Sequence, residues 1–129
     1  MTSVQKALSP PPDGALSCTV RRVPDGTPVV EVLGDVDAVT ARELRTAGVA
    51  AVDDAGGGVC VLDLSAVTFL NAAGLSGLVS VVGHARARGR VVRIVVDSNR
   101  RVIRPIEVTA LDHALSLFHT VEEALATTA

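Results

Sequence analysis

Aromatic side chains are nearly absent from this chain: it has no tryptophan and no tyrosine, and two phenylalanines make up 2% of the composition. Stacking on nucleic-acid bases is thereby all but excluded. A core must instead be assembled from Val, Leu, Ile and Ala, which the 48% hydrophobic content supplies. Charge of one sign is also lacking. Twelve Lys and Arg against fourteen Asp and Glu leave a net charge of −2, which argues against polyanion binding and against direct nucleic-acid contact. No segment approaches the ~20 apolar residues of a membrane span, and the first fourteen residues have no secretory h-region, so a cytoplasmic protein is expected. Only two cysteines occur, Cys18 and Cys60, in neither a CxxC nor a zinc-ligand pattern. In a reducing compartment thiols are the default.

The motifs of several enzyme classes are missing as well. There is no GxxxxGK[ST] or GxGxxG after a strand, and Gly56-Gly-Gly58 precedes a strand, the wrong polarity for cradling phosphate. No GxSxG supplies a nucleophile. His84, His113 and His119 share no metal-ligand spacing. No catalytic residue, metal or cofactor is therefore expected. Asp35 and Asp37 point to one face if the backbone is extended, but no nucleophile accompanies them, and a solvated strand-to-helix loop is the simpler reading. Asp53 and Asp54 read as an exposed loop, and His84 with Arg86, Arg88 and Arg90 as a solvated basic face near a helix end.

What is present fits one domain. At 129 residues the length matches a single core. Ser9-Pro-Pro-Pro-Asp-Gly14 reads as a stiff leader, giving a leader over 1–14 and a folded domain over 15–129. Leu16 to Val23 and Val29 to Leu33 flank the turn cluster Pro24-Asp-Gly-Thr-Pro28 and predict a hairpin. Thr40-Ala-Arg-Glu43 predicts a capping box that opens a helix carrying Leu44, Ala47, Gly48 and Ala51. Val59-Cys-Val-Leu62 is apolar throughout, as in a strand covered on both faces. From Ala72 to about Arg88 the spacing of Leu75, Leu78, Val79, Val82 and Ala85 predicts a second helix, closed by Gly89. Val91 to Val96 predicts a further strand. Asn99 caps a third helix carrying Val102, Ile103 and Ile106, which Pro105 should kink or shorten. Thr120-Val-Glu-Glu123 is a second capping box, before a short terminal helix. The expectation is an α/β layer: a mixed sheet of four to five strands with about four helices and one antiparallel strand.

Three ordered segments resemble the STAS domain family of bacterial anti-sigma factor antagonists. Gly34-Asp-Val-Asp-Ala-Val-Thr-Ala41 is similar to its G-x-L-D-x-x-T-A loop. Leu62-Asp-Leu-Ser-Ala-Val-Thr-Phe-Leu-Asn-Ala-Ala-Gly-Leu75 is similar to its L-D-L-S-x-V-x-F-[ILM]-D-S-[ST]-G-L switch. Ile106-Glu-Val-Thr-Ala-Leu-Asp112 with Thr120-Val-Glu-Glu-Ala-Leu125 is similar to its ending. The resemblance implies a noncatalytic module that binds an anti-sigma factor of the histidine-kinase-like ATPase fold and so frees a sigma factor. It places partner binding at Asp37, Thr40, Asn71, Ala72, Ala73, Gly74 and Leu75. A monomer or weak homodimer is expected.

The family's kinase target, a Ser or Thr before the switch glycine, falls on Ala73, so phosphate cannot be added there. Asn71 stands where the family has an acid, and Ala110 where it usually has glycine, a position suited to positive φ. With the acceptor gone, Cys18 and Cys60 are the candidate redox input, if they can pair. The alternative reading is a STAS scaffold or accessory subunit of another regulatory or transport assembly. A small-molecule sensor or nucleotide-binding enzyme is the remaining class.

Overall fold

A computed structural model describes residues 15–126; the expected leader over 1–14 and the last three residues lie outside the described residues. The elements run β1 (Leu16–Arg22), β2 (Pro28–Val36), α1 (Ala41–Asp53), β3 (Val59–Leu70), α2 (Ala72–Ala87), β4 (Val91–Val95) and α3 (Arg100–Val108). A 3₁₀ turn (Leu111–His113), β5 (Ser116–Phe118) and α4 (Val121–Ala126) complete them. The five strands lie in the order β1-β2-β3-β4-β5. β1 pairs antiparallel with β2, and every other pair is parallel.

Helices α1, α2 and α3 cover one face of the sheet. Val30, Val32, Leu62, Ile94 and the helix residues Leu44, Leu78, Val102 and Ile106 form its main core. The other face is covered at one end by α4, where Val29, Val61 and Val95 meet the fully buried Ala124. This two-sided burial is why Val59-Cys-Val-Leu62 is apolar without alternation. On the α4 side Arg93, only 5% exposed, donates to the Ala124 carbonyl at 2.8 Å and lies 6.0 Å from the Phe118 ring centre. The cation that breaks the β4 pattern thus ties α4 to the sheet.

Two of the inner strands, β2 and β3, are longer than the sequence pattern predicts. β2 continues past Leu33 through Gly34, whose φ is +113°, so Asp35 belongs to a strand and not to a loop. β3 continues eight residues past Leu62, and its pairing with β2 slips twice: Glu31 faces Asp63, Leu33 faces Ala66, and Asp35 faces Phe69. Each slip adds one residue to β3, a bulge. Burial there accordingly falls on Leu64, Val67 and Leu70, at intervals of three that match neither an ideal strand nor a helix. β5, with three residues, has no sequence pattern long enough to read.

The helices start where expected, with two local differences. In α2 it is Val81 that is buried and Val79 that is 40% exposed. The reason is α1: a Cβ on Gly48 would lie 2.8 Å from Val81 Cγ2, so the helices nearly touch along that side. α3 extends over nine residues with Pro105 inside it.

Candidate functional site

The parallel strands β2 and β3 end side by side, and α1 and α2 begin at that edge of the sheet. The Asn71 N–H donates to the Val36 carbonyl (3.2 Å), which joins the two strand ends. The Asn71 side chain then accepts from the Gly74 N–H at 3.0 Å and caps α2, as an extended residue with a short side-chain oxygen can. Gly74 is fixed by contact: a Cβ there would collide with the Val36 carbonyl oxygen. No side chain fits between α2 and β2 at this point.

Beneath the turn, Leu75 is 4% exposed and supports it from the core. Ala72 is exposed and Ala73 half-buried, so the outer surface of this helix start is two methyl groups and no hydroxyl. Two residues not singled out from the sequence share this edge. Val39 is 83% exposed and Phe69 47%. Phe69 could not be placed from an ideal strand period, because the two bulges set which way it points.

Across the turn, the Asp37 carboxylate accepts the N–H groups of Val39 (2.9 Å) and Thr40 (3.1 Å). These bonds, that from Thr40 foremost, hold its carboxyl below the usual range. Thr40 is 3% exposed; its hydroxyl donates to the Asp35 carbonyl (2.7 Å) and accepts the Asp37 N–H (3.0 Å). The expected Thr40–Glu43 capping box therefore does not form. Thr40 is in a helical conformation with its hydroxyl turned inward, and Asp37 takes the capping role. Asp35 is engaged elsewhere, accepting the Thr68 hydroxyl at 2.6 Å. The two carboxylates do not converge on one point. Of the expected partner-binding residues, Asp37, Asn71, Ala72, Ala73 and Gly74 gather at this edge, with Thr40 and Leu75 packed beneath it.

The remaining candidates lie apart. Cys18 on β1 and Cys60 on β3 are unpaired, and the whole of β2 lies between their strands. Two strand spacings amount to about 10 Å, beyond the Cα separation of about 7 Å that a disulfide bridges. The two cannot pair within this fold, and the expected redox pair is withdrawn. Burial pushes the Cys60 thiol up to about 12, and burial with the nearby Glu43 carboxylate pushes Cys18 up to about 11.

Asp53, expected in a loop, ends α1 and bridges His84 (2.9 Å) and Arg88 (3.1 Å) on α2. The His84 hydrogen bond first, with help from the neighbouring arginines, lowers its carboxyl below the usual range. Among the described residues no group of three or more His, Cys, Asp or Glu could hold a metal ion, and no helix is long and apolar enough to cross a membrane.

The family described as "Mlab, STAS domain" matches residues 19–121. The anti-sigma-F factor antagonist RsfB of Mycobacterium tuberculosis is 34% identical over 103 residues, spanning 78% of this chain and 80% of that protein. The crystal structure of an anti-sigma factor antagonist from Mycobacterium paratuberculosis superposes with a TM-score of 0.75 at 34% identity, covering 91% of this chain and 96% of that one. At the level of fold alone, the anti-sigma factor antagonist SpoIIAA in its unphosphorylated form aligns with a TM-score of 0.61 at 14% identity, over 84% of this chain and 94% of that one.

Proposed function

Because the chain belongs to the STAS domain family, we propose that it is an anti-sigma factor antagonist: it binds an anti-sigma factor of the histidine-kinase-like ATPase fold and so releases a sigma factor. It is not an enzyme in this reading. What supports the proposal is the α2 start, capped by Asn71 and closed against Val36 at Gly74, with Ala73 where the family resemblance puts the phosphoacceptor. The 34% identical relatives that bear the name of anti-sigma factor antagonists support it.

The exposed Val39, Phe69 and Ala72 give the contact an apolar character, and Ala73 leaves it without a modifiable hydroxyl. A phosphate at this position would add about −1.5 to −2 charges to that surface. The chain is thus held permanently in the uncharged, binding-competent form.

Binding of the purified chain to an anti-sigma factor of that ATPase fold from the same genome, measured by calorimetry, tests the reading. The wild type is expected to bind. Ala73→Glu, which places a charge at the acceptor position without touching the core, is expected to weaken binding about 100-fold, as an unpaired charge does at a desolvated contact. Ala73→Ser should bind as the wild type until the partner is given ATP. An Ala73→Glu variant that binds as tightly as the wild type would overturn the proposed surface.

A further inference from the structure

At the far end of α2, 16 residues or about 24 Å from its cap, lies a cleft of a different kind. It has a volume of about 270 Å³ and is lined by Arg86, Arg90 and Ser116 beside Val82 and Val92, with no carboxylate in its wall. The two acids at the end of α1, where Arg90 is anchored, are already engaged. Asp53 pairs with His84 and Arg88, and Asp54 with Arg22 at 3.4 Å.

The two arginines differ in how they are held. Arg90 is fixed: its Nη1 donates to the carbonyls of Val52 (2.5 Å) and Asp53 (2.7 Å) at the end of α1. Those bonds use one nitrogen and orient the guanidinium plane, while Nε and Nη2 have no acceptor among the described residues. The Arg86 side chain is exposed on the last turn of α2 and makes no hydrogen bond or ion pair among the described residues. The Ser116 hydroxyl, at the start of β5, is likewise without a partner there. A guanidinium anchored through one nitrogen, a second one on a long stem, and a hydroxyl therefore line one concavity, and all but the Arg90 Nη1 have no acceptor among the described residues.

We propose that this cleft binds a phosphate group, as inorganic phosphate or, better, as a small phosphate monoester. A planar guanidinium meets two oxygens of a tetrahedral oxyanion side by side, so two guanidinium groups and a hydroxyl match a dianionic phosphate in both charge and donor number. The valine wall suits the short hydrocarbon part of an ester and favours it over the bare ion. The site is separate from the partner-binding edge and does not rest on the function proposed above.

Amide NMR of the full chain tests it, in titrations with sodium phosphate, glycerol 3-phosphate, phosphatidic acid vesicles, and sodium chloride at matched ionic strength. Saturable shifts at Arg86, Arg90 and Ser116 with the two soluble phosphates, stronger for the monoester, are the expected result. Arg86→Gln, an exposed change that leaves the Arg90 clamp intact, should weaken binding about tenfold, as loss of one charge-assisted contact does. Ser116→Ala should weaken it less. Equal shifts with chloride, a response to vesicles alone, shifts centred on Ala72 and Ala73, or wild-type affinity in Arg86→Gln would each overturn the assignment.

Discussion

Ala110 sits at φ +58° and ψ +26°, closing α3 in the left-handed conformation that an alanine side chain resists. Its N–H bonds the Glu107 carbonyl at 3.0 Å, so the turn is made in spite of the side chain. A left-handed L-residue costs about 1 kcal/mol or more, and glycine relieves most of this. Ala110→Gly is accordingly expected to raise stability by about 1 kcal/mol, seen as a midpoint a few degrees higher in thermal unfolding; an unchanged or lower midpoint would contradict it. The strain at this position is legible only through the family resemblance, which places a glycine there; the alanine itself leaves no mark in the sequence. Val39 and Phe69 were not legible at all. Nothing in their own neighbourhood marks an apolar residue as one that the finished fold leaves outside.

At the scale of elements, two capping boxes written alike in the sequence end differently. At α4 the Thr120 hydroxyl accepts the Glu123 N–H at 3.0 Å, and Glu123 reaches back one residue further than expected, to the His119 N–H at 2.9 Å. At α1 the long parallel strand β2 delivers the chain so that Thr40 is swallowed by the core, and Asp37 does the capping. Tertiary placement outranks a four-residue signal. An acid dependence follows from the depressed carboxyl of Asp37. Its stabilising effect is complete above the unfolded-state value of about 4 and is lost as pH falls through the lower folded-state value. Asp37→Asn should therefore melt below the wild type at pH 7, and the gap between the two should close towards pH 3; parallel melting curves at both pH values would remove Asp37 from the cap. Asp53, also depressed, adds to the same acid loss by way of His84 and Arg88.

For the molecule as a whole, the mixed sheet and most of the element order followed from alternating helical and apolar segments. The separation of the two cysteines did not, because it depends on strand order across the sheet, which periodicity does not encode. With β2 between them, neither thiol has a partner, and burial suppresses both thiolates. At pH 8 a thiol-specific disulfide reagent should modify the native chain at least about 100-fold more slowly than free cysteine, given Cys18 near 11. In denaturant both should react at once, before and after mild oxidation; loss of the two thiols on oxidation of the monomer would contradict the sheet order. The two bulges in β3 bear on how this sheet can vary by descent. Each places an unmatched residue between Asp63 and Phe69, so removing one residue there would exchange inside and outside for every position up to Leu70 and would pull the Asn71 N–H out of reach of the Val36 carbonyl. Side chains along that stretch are open to exchange, whereas its count of residues is not, and a gap opened there in an alignment marks a chain whose strand-end edge has been rebuilt.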